Sequence, residues 1–358
     1  MKKFLTIQIA ECILQTLPQT FAIMKHTTIT DIAKKLGISP STVSRALSDH
    51  PDIKTETKMK VKKIAKEFNY KPNPIAQSLK NNRTTIIGVI VPEIKHDFFS
   101  SAISGIEDVA YHSGYTIIVC QSNESFEREV INTNALVQQR VAGIVASIAQ
   151  DTKNGEHFQS VIDRGIPLVF FDRVCKDISA NKVIIDDEKS ALEAVTYLIN
   201  KGYKKIAHFG GPKELDICLQ RLGGYKEALK KAGIPFNNDL VHYGGLHEND
   251  GYDAMDCLLK NNIVPDAVFA VNDPVAIGAY QRIREAGLKI PGDIGIMGFS
   301  NNKITSLVDP PLTTVDQPSF EMGKKAAEIL IGMIENSNKS TRPKMITLDT
   351  KLIIRGST

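Results

Sequence analysis

The sequence predicts an all-α head near the N-terminus, followed by a larger α/β body with two lobes. Two short helical patterns meet at Gly37 in "ITDIAKKLGISPSTVSRAL", residues 29–47. After residue 84, apolar runs alternate with helical patterns in two successive sets. Fully apolar strands separated by helices are typical of parallel sheets with helices on both faces. We therefore expect two such sheets, one in each lobe.

Charge is divided unevenly along the chain. The 358 residues carry a net charge of +4 and are 42% apolar, enough to build sizeable buried cores. From Lys25 to Arg83 there are 13 Lys and Arg against 5 Asp and Glu, a balance of +8, whereas residues 84–358 carry −5. A basic segment joined to an acidic body indicates a polyanionic partner for the basic segment alone.

The first residues and the cysteines indicate where in the cell the protein is expected. Residues 1–24 begin with two lysines and an apolar run, but polar residues interrupt the run and no cleavage site follows. We expect a disordered or non-native N-terminal extension here, with Met24 as the alternative start. Five dispersed cysteines favour neither a disulfide framework nor a zinc site, and they suit the cytoplasm. No run approaches the roughly 18 apolar residues of a membrane span, so we expect no membrane partner.

The two helical patterns of the head have their own start and stop signals. Thr30 or the threonines before it can cap the first helix, and Gly37 stops it. Ser39 can cap the second helix, with Pro40 in its first turn. Two short helices around a glycine turn predict a helix-turn-helix, whose second helix enters the major groove. The candidate DNA-binding residues are Thr28, Thr30, Ser39, Pro40, Ser41, Thr42, Ser44, Arg45 and Ser48.

Each type of residue in this set suits contact with a duplex. Short hydroxyl side chains donate to phosphates, and Arg45 can make a two-pronged contact with guanine. A third helix is predicted within "TETKMKVKKIAKEFNYKPNP", with apolar positions at Met59, Val61, Ile64, Ala65 and Phe68 and lysines on its other faces. The alternative is a helical hairpin in which the hydroxyls are only caps and the lysines only a solvated surface. Three helices with this charge favour a DNA-binding head.

The run "STVSRAL" and the later "YKPNPIAQSLK" together carry a resemblance. The chain from about Thr27 onward is similar to the lactose-repressor and galactose-repressor family of bacterial transcription regulators. The resemblance implies that residues 73–83 form a hinge helix or linker that folds on DNA, with Leu79 as a wedge in the minor groove. The alternative for Leu79 is an ordinary buried linker residue. The implied DNA-binding residues of the hinge are Asn73, Ala76, Leu79 and Lys80.

The body has two sets of predicted strands. The first set is "IIGVIVP", "YTIIVC", "VAGIVASI" and "IPLVFFDR". The second is "KVIIDD", "KKIAHFGG", "LVHYGG", "DAVFAVND" and "IGIMGFSNN". Ligands of such sheets gather at the carboxyl ends of the strands, here in a cleft between two lobes. The resemblance likewise implies a periplasmic-binding-protein-like core that closes around a small effector, and a homodimer that reads a pseudo-palindromic operator.

Strand ends supply the candidate effector site, and the resemblance points to the same positions. They are Phe98, Phe99, Asp172, Arg173, Arg221, Leu246, Asn272, Asp273, Ser300 and Asn301. The alternative is a salt-bridge network of Asp172, Arg173, Arg221 and Asp273 that only holds the lobes. The sequence departs from the family at Leu246, often an aromatic, and at Ser300, usually an aspartate that grips sugar hydroxyls. A sugar, a sugar phosphate and other metabolites therefore all stay open as effectors.

The predicted domains follow from these segments. Residues 25–72 form the head, residues 73–83 the hinge, residues 84–184 and 316–344 the first lobe, and residues 185–315 and 345–358 the second lobe. We expect a transcriptional regulator, most simply a repressor controlled by a sugar or sugar derivative. A solute-binding protein for transport would share the lobes but would need no head. No nucleophile motif, metal-ligand spacing or nucleotide fingerprint is present, so we expect neither an enzyme nor a cofactor.

Overall fold

The computed structural model describes residues 27–70, 84–336 and 342–358. They belong to two units that divide near residue 83. The first unit contains the helices of the predicted head, which are α1 Ile29–Leu36, α2 Pro40–Leu47 and α3 Thr55–Glu67. Residues 1–26 and the hinge positions Asn73, Ala76, Leu79 and Lys80 lie outside the described residues.

The ends of α1 and α2 confirm the capping signals. Thr28 is the N-cap of α1, and its amide and hydroxyl both donate to the Asp31 carboxylate, at 2.8 and 2.7 Å. Gly37 ends this helix with a φ of +66°, in the left-handed region that glycine adopts without strain. The hydroxyl of Ser39 accepts the Thr42 amide at 3.1 Å and so caps α2. These local bonds fix the turn between the two helices.

A small apolar core holds the three helices of the head together. Ile32, Val43, Ala46 and Val61 are fully buried in it. Met59 is an exception to the prediction, because 62% of it is exposed. It lies two residues before Val61, which places it about 200° around the helix and therefore on the solvent side.

The second unit confirms the two-lobed α/β prediction. Its first lobe has a parallel sheet ordered β11-β5-β4-β3-β1-β2. The strands are β1 Ile86–Val91, β2 Thr116–Gln121, β3 Gly143–Ala146, β4 Leu168–Phe171, β5 Asn181–Ile185 and β11 Met345–Leu348. The helices of this lobe are α4 Asp97–His112, α5 Phe126–Gln138, α6 Glu156–Asp163 and α11 Ser319–Glu335.

The second lobe repeats this plan. Its sheet is ordered β12-β10-β9-β8-β6-β7 and is parallel except for β12, which runs antiparallel to β10. The strands are β6 Ile206–Phe209, β7 Val241–His242, β8 Ala267–Ala270, β9 Gly295–Ser300, β10 Thr313–Asp316 and β12 Lys351–Ile353. The helices are α7 Asp187–Asn200, α8 Asp216–Lys231, α9 Glu248–Lys260 and α10 Asp273–Glu285, with short helical turns at Asn238–Leu240 and Lys303–Ser306.

The chain passes between the lobes after β5, after β10 and between β11 and β12. This path corrects two predictions. The strand of "KVIIDD" is β5 and belongs to the first sheet, although we grouped it with the second set. Residues Met345–Leu348 form β11 beside β5, so they also belong to the first lobe and not to the second. An apolar run predicts a strand but does not specify which sheet pairs with it.

Glycines allow pairs of helices to approach closely. A Cβ at Gly323 of α11 would lie 2.0 Å from the Ala102 carbonyl oxygen of α4, and one at Gly105 would lie 2.1 Å from the Phe320 carbonyl oxygen. Real Cβ atoms do not make such contacts, and backbone cannot move aside as a side chain can. The first-lobe helices α4 and α11 therefore require glycine at their crossing.

We expect Gly323→Ala to destabilise the first lobe by about 1–3 kcal/mol or more, because the added methyl overpacks against backbone. Gly332→Ala in the same helix is the matched control, since nothing lies within 4 Å of its Cβ position. Higher helix propensity should make this control neutral or up to ~1 kcal/mol more stable. Chemical denaturation followed by circular dichroism measures both. Equal effects of the two substitutions would contradict the close-crossing interpretation.

Candidate nucleic-acid interface and ligand cleft

The N-terminal end of α2 is an exposed polar surface. Ser39 and Ser41 are exposed, and Thr42 is half-buried. The Ser39 hydroxyl lies 2.7 Å from that of Ser41 and 2.8 Å from that of Thr42. Arg45 is exposed and makes no ion pair within residues 27–70. Arg45 lies in the last turn of α2, at i+4 from Ser41 and i+3 from Thr42, so one face of the helix presents both hydroxyl groups and a guanidinium.

The other candidate residues of the head are also accessible. Thr28, Thr30, Pro40 and Ser48 are exposed, and Ser44 is half-buried. Some lysines of α3 are partly neutralised, since Lys60 lies 2.8 Å from Glu56 and Lys58 lies 3.2 Å from Asp49. Five further lysines have no carboxylate within 4 Å in the described part of the head, namely Lys34, Lys35, Lys54, Lys63 and Lys66. The surface of the head therefore carries a surplus of positive charge.

A cavity of about 500 Å³ lies between the lobes, at the carboxyl ends of their strands. Segments 148–154 and 172–177 line it from the first lobe, and segment 214–220 lines it from the second. Asp172 and Arg173 are the predicted effector residues that line this cavity. None of the other predicted effector residues lines it. A smaller cavity of about 290 Å³ between the lobes contains none of the predicted residues.

Asp172 and Arg173 follow β4 directly. Both are buried, with 9% and 7% of their surfaces exposed. Arg173 Nη1 donates to both carboxylate oxygens of Glu124, at 2.9 Å. Its Nε lies 3.9 Å from Asp172 Oδ2 and, although buried, has no hydrogen-bond partner among the described residues. The guanidinium lies over Phe99, with its carbon 5.5 Å from the ring centre.

Arg221 of α8 is fully engaged by other groups of the protein. Its Nε and Nη2 donate to one oxygen of Asp187, at 2.8 and 2.7 Å, and its Nη1 donates to the Val271 carbonyl at 2.6 Å. The guanidinium carbon also lies 3.7 Å from the centre of the Phe299 ring. Asp187 is the first residue of α7 and also lines the cavity. This buried ion pair therefore sits just after the first passage between the lobes.

Asn272 and Asp273 organise the start of α10. The Asn272 side chain accepts the Val275 amide at 2.9 Å and donates to the Leu246 carbonyl at 2.8 Å. Asp273 is fully buried and accepts the Thr314 hydroxyl at 2.6 Å and the Asn302 amide at 2.7 Å. Burial raises the pKa of Asp273 to about 6. Both side chains are thus satisfied by the protein.

The predicted four-residue salt-bridge network is wrong in its partners. Arg221 pairs with Asp187, and Arg173 pairs with Glu124. Asp273 is satisfied by a hydroxyl and an amide, and only the long contact between Asp172 and Arg173 was foreseen. Sequence reasoning missed Glu124 because a glutamate between a strand and a helix gives no signal. Asp187 was not among the predicted residues, and it directly follows Asp186, the N-cap of α7.

Ser300 and Asn301 lie beside the second passage between the lobes. Their φ angles of +120° and +57° are both in the left-handed region. Ser300 donates to the side-chain oxygen of Gln317, in that passage, at 2.7 Å. Asn301 donates to Asp316 at 2.9 Å and accepts Arg355 at 2.7 Å. These two residues therefore contact the joint between the lobes.

The apolar candidates are buried. Phe98 and Phe99 pack edge to face with their centroids 5.2 Å apart, and Phe99 packs in the same way on Phe171. Leu246 is buried in the core of the second lobe. Of these three residues, Phe99 affects the cavity indirectly, because the Arg173 guanidinium packs over its ring.

Among the described residues, polar groups of the two lobes meet across the cleft, and His247 of the second lobe lies 3.9 Å from Glu93 of the first. Lys176 of the first lobe lies 2.5 Å from Asp216 of the second. On the side of the smaller cavity, the Lys303 amide donates to Asp97 at 3.1 Å. Exposed pairs of this kind are worth only about 0–1 kcal/mol.

We expect Asp172→Asn to become more stable, relative to the unsubstituted protein, as the pH rises from about 5 to about 8. Burial raises the pKa of Asp172 to about 7 from 3.8. Between these values the folded carboxyl keeps a proton that the unfolded chain releases, so ionisation costs stability as the pH rises, by about 1.4 kcal/mol per pKa unit.

Unfolding in denaturant at several pH values measures this difference. The buried His96 and His208, whose pKa values burial lowers to about 4, are present in both proteins and cancel. A difference that does not change with pH would contradict an Asp172 that resists ionisation.

Within the described residues, no helix is long and apolar enough to cross a membrane. The same part of the chain contains no group of three His, Cys, Asp or Glu side chains that could hold a metal ion.

Comparisons with known proteins agree with both units. Residues 28–73 match bacterial regulatory proteins of the lacI family, and residues 195–358 match the periplasmic binding protein-like domain. The HTH-type transcriptional repressor PurR of Vibrio atlanticus (strain LGP32) is 35% identical over 317 residues, covering 88% of this chain and 94% of that protein. The repressor CytR of Escherichia coli (strain K12) is 33% identical over 335 residues, covering 92% and 96%.

Two solved structures show the same arrangement of elements. The Lac repressor dimer bound to operator and the anti-inducer ONPF is 25% identical with a TM-score of 0.81, covering 93% of this chain and 99% of that one. The complex of the transcriptional regulator CelR with cellobiose is 27% identical with a TM-score of 0.70, covering 93% and 100%.

Proposed function

This chain belongs to the lacI family of bacterial regulatory proteins and is a DNA-binding transcriptional repressor under small-molecule control; on that premise we propose which of its residues bind DNA and which form the effector site. The head binds operator DNA through the face of α2 that carries the hydroxyls of its N-terminal end and, in its last turn, Arg45. The observation that carries this proposal is the exposed Arg45, which makes no ion pair within residues 27–70, on the same helix as the cluster of Ser39, Ser41 and Thr42 hydroxyls. The hydroxyls contact phosphates, and Arg45 reads a base pair.

The cleft between the lobes holds the effector. Asp172 and Arg173 contact it directly, because they line the cavity. Arg221, Asn272 and Asp273 position the walls through their bonds within the protein. Ser300 and Asn301 transmit the state of the cleft to the second passage between the lobes. An effector changes operator affinity only through its different affinities for the two arrangements of the lobes.

We propose further that the protein acts in the cytoplasm as a homodimer with two heads. A dimer reads a pseudo-palindromic site with half-sites about one helical turn apart. The hinge residues Asn73, Ala76, Leu79 and Lys80 complete the DNA contact in this proposal. The exposed basic head argues against a transport protein, which has no use for it, and the repressor relatives argue against an enzyme.

The proposal is tested with the full chain and a version that begins at Thr84, both at low ionic strength on double-stranded DNA. The full chain should bind, and the trimmed version should lose nearly all affinity. Equal attraction of both proteins to DNA would contradict the proposal.

We expect Arg45→Ala to reduce discrimination between operator and mismatched DNA by about 1–3 kcal/mol for the base pair that it reads. Lys204→Ala, at an exposed position in the second lobe, is the matched control. Competition binding with operators altered one base pair at a time measures the discrimination. Unchanged discrimination at every position would refute base reading by Arg45.

A further inference from the structure

A fully buried glutamate lies in the first lobe, behind the cavity between the lobes. Glu129 belongs to α5, and none of its side chain is exposed. It is not among the residues that line the cavity. A glutamate is almost never fully buried unless other groups of the protein replace the water that its carboxylate has lost. The partners of Glu129 therefore indicate its role.

Three donors converge on the Glu129 carboxyl group. Its Oε2 accepts the Ala149 amide at 2.7 Å, and its Oε1 accepts the Thr152 hydroxyl at 2.9 Å. Nε2 of His157, on α6, lies 3.0 Å from the same Oε1. His157 Nδ1 is buried and has no hydrogen-bond partner among the described residues, so the proton of a neutral imidazole belongs on Nε2, facing Glu129. Both oxygens of Glu129 thus act as acceptors.

Two of these donors belong to the first-lobe wall of the cavity, by which we mean residues 148–154. Ala149 and Thr152 both line the cavity, in the loop that follows β3. A buried amide in a loop obtains no partner from a helix or a sheet, so another group must accept it. Glu129 accepts the Ala149 amide, and Glu124 accepts the next one, that of Gln150, at 2.8 Å. Two carboxylates therefore hold consecutive amides of the wall.

A neutral side chain of the same size cannot replace this carboxylate. Glu129→Gln would keep one oxygen and place an NH2 group at the other position. If the NH2 group faced the Ala149 amide, two donors would meet. If it faced Thr152 and His157, the hydroxyl could turn to accept, but the imidazole proton would have to move to Nδ1, where it has no acceptor among the described residues. Only a carboxylate serves the wall and the imidazole together.

We propose that Glu129 is a positioning residue of the effector site: it fixes the first-lobe wall at Ala149 and Thr152, and so sets the shape of the cavity, without touching the effector. This inference rests on the proposed effector site. The effector cavity then depends on a residue buried behind it, on a helix that lines none of it. A purely stabilising role for Glu129 differs from this one, because loss of stability loosens the whole lobe and not the wall alone.

The cysteines of the chain can separate these two roles. Cys175 lines the cavity together with the wall and is buried. Burial raises the pKa of its thiol, which slows its reaction with a maleimide because the thiolate is the nucleophile. Cys120, half-buried on β2 of the same lobe, and Cys218, buried in the second lobe, serve as references. Unfolding of a lobe exposes its reference thiol, whereas movement of the wall exposes Cys175.

The first experiment labels the native full chain with N-ethylmaleimide and locates the label by peptide mass spectrometry. Glu129→Leu removes both acceptors and keeps a buried side chain of similar size. It should raise the labelling rate of Cys175 at least tenfold and leave those of Cys120 and Cys218 unchanged. Gly323→Ala is the control, because it overpacks the same lobe away from the wall and should not select Cys175. An unchanged rate at Cys175 in Glu129→Leu would overturn the inference, as would equal acceleration of all three thiols.

The second experiment needs no substitution and decides the question if Glu129→Leu does not fold. Residue-resolved hydrogen exchange of the unsubstituted full chain compares neighbouring amides of the wall. Those of Ala149 and Gln150 should exchange at least tenfold more slowly than those of Asp151 and Lys153, which are exposed and have no acceptor in the described part of the chain. Equal rates would overturn the inference. Either failure would leave operator binding by the full chain intact, whereas failure of the proposed function is loss of that binding.

Discussion

Replacing Asp187 by alanine should lower the free energy of unfolding of the two-lobed core by about 3–5 kcal/mol. The substitution leaves the Arg221 guanidinium buried with 3% of its side chain exposed, over an aromatic ring and without its carboxylate. The cost of an uncompensated buried charge exceeds the gain that the pair provides when intact. Urea denaturation followed by circular dichroism measures the change.

The neighbouring Asp186 provides the control for this experiment. It is exposed and caps α7 by accepting the Lys189 amide at 2.9 Å. Asp186→Ala should therefore cost only about 1 kcal/mol, the usual value of an N-cap. A double substitution, Asp187→Leu with Arg221→Met, should recover much of the lost stability because no charge stays buried. Equal losses from the two alanine variants would refute the assigned ion pair.

Raising the salt concentration from about 50 to about 200 mM should weaken operator binding by about a thousandfold if each head of a dimer neutralises about three phosphates. Cationic groups such as Arg45, Lys63 and Lys66, which pair with no carboxylate in the described part of the head, are the source of this dependence, because each phosphate contact releases a counterion. Fluorescence anisotropy with a labelled operator gives the slope of log affinity against log salt, expected near −5.

Charge variants separate the contribution of the head from that of the body. Lys63→Gln should reduce the slope by about one for each phosphate contact removed. Lys204→Gln, in the second lobe, should leave it unchanged. A flat response of the unsubstituted protein between these concentrations would contradict phosphate-driven binding.

Local signals predicted the head well because they act over three or four residues. The roles of Thr28, Gly37 and Ser39 follow from rules of capping: Thr28 and Ser39 begin helices and Gly37 ends one, as expected. Periodicity predicted the two sheets for a similar reason, because fully apolar strands need cover on both faces. Met59 was misplaced because its apolar character outweighed its angular position on α3.

The partners in the cleft could not be predicted in the same way. Glu124 lies 49 residues before Arg173, and Asp187 lies 34 residues before Arg221, so only the fold brings them together. The membership of β11 in the first sheet depends on pairing with β5, which an apolar run cannot specify. Sequence therefore located the two arginines of the cleft but not their carboxylate partners, Glu124 and Asp187.

The three passages of the chain leave from β5, β10 and β11, and the last enters β12; these four strands lie at or next to one edge of their sheets. The opposite edges of the sheets, β2 and β7, are thus the far ends of two levers. Five strand spacings of about 4.8 Å separate β11 from β2, a lever arm of about 24 Å. A bend of about 10° at the joint would shift that far edge by about 4 Å. A ligand that moves the walls of the cleft slightly therefore causes a large displacement of β2.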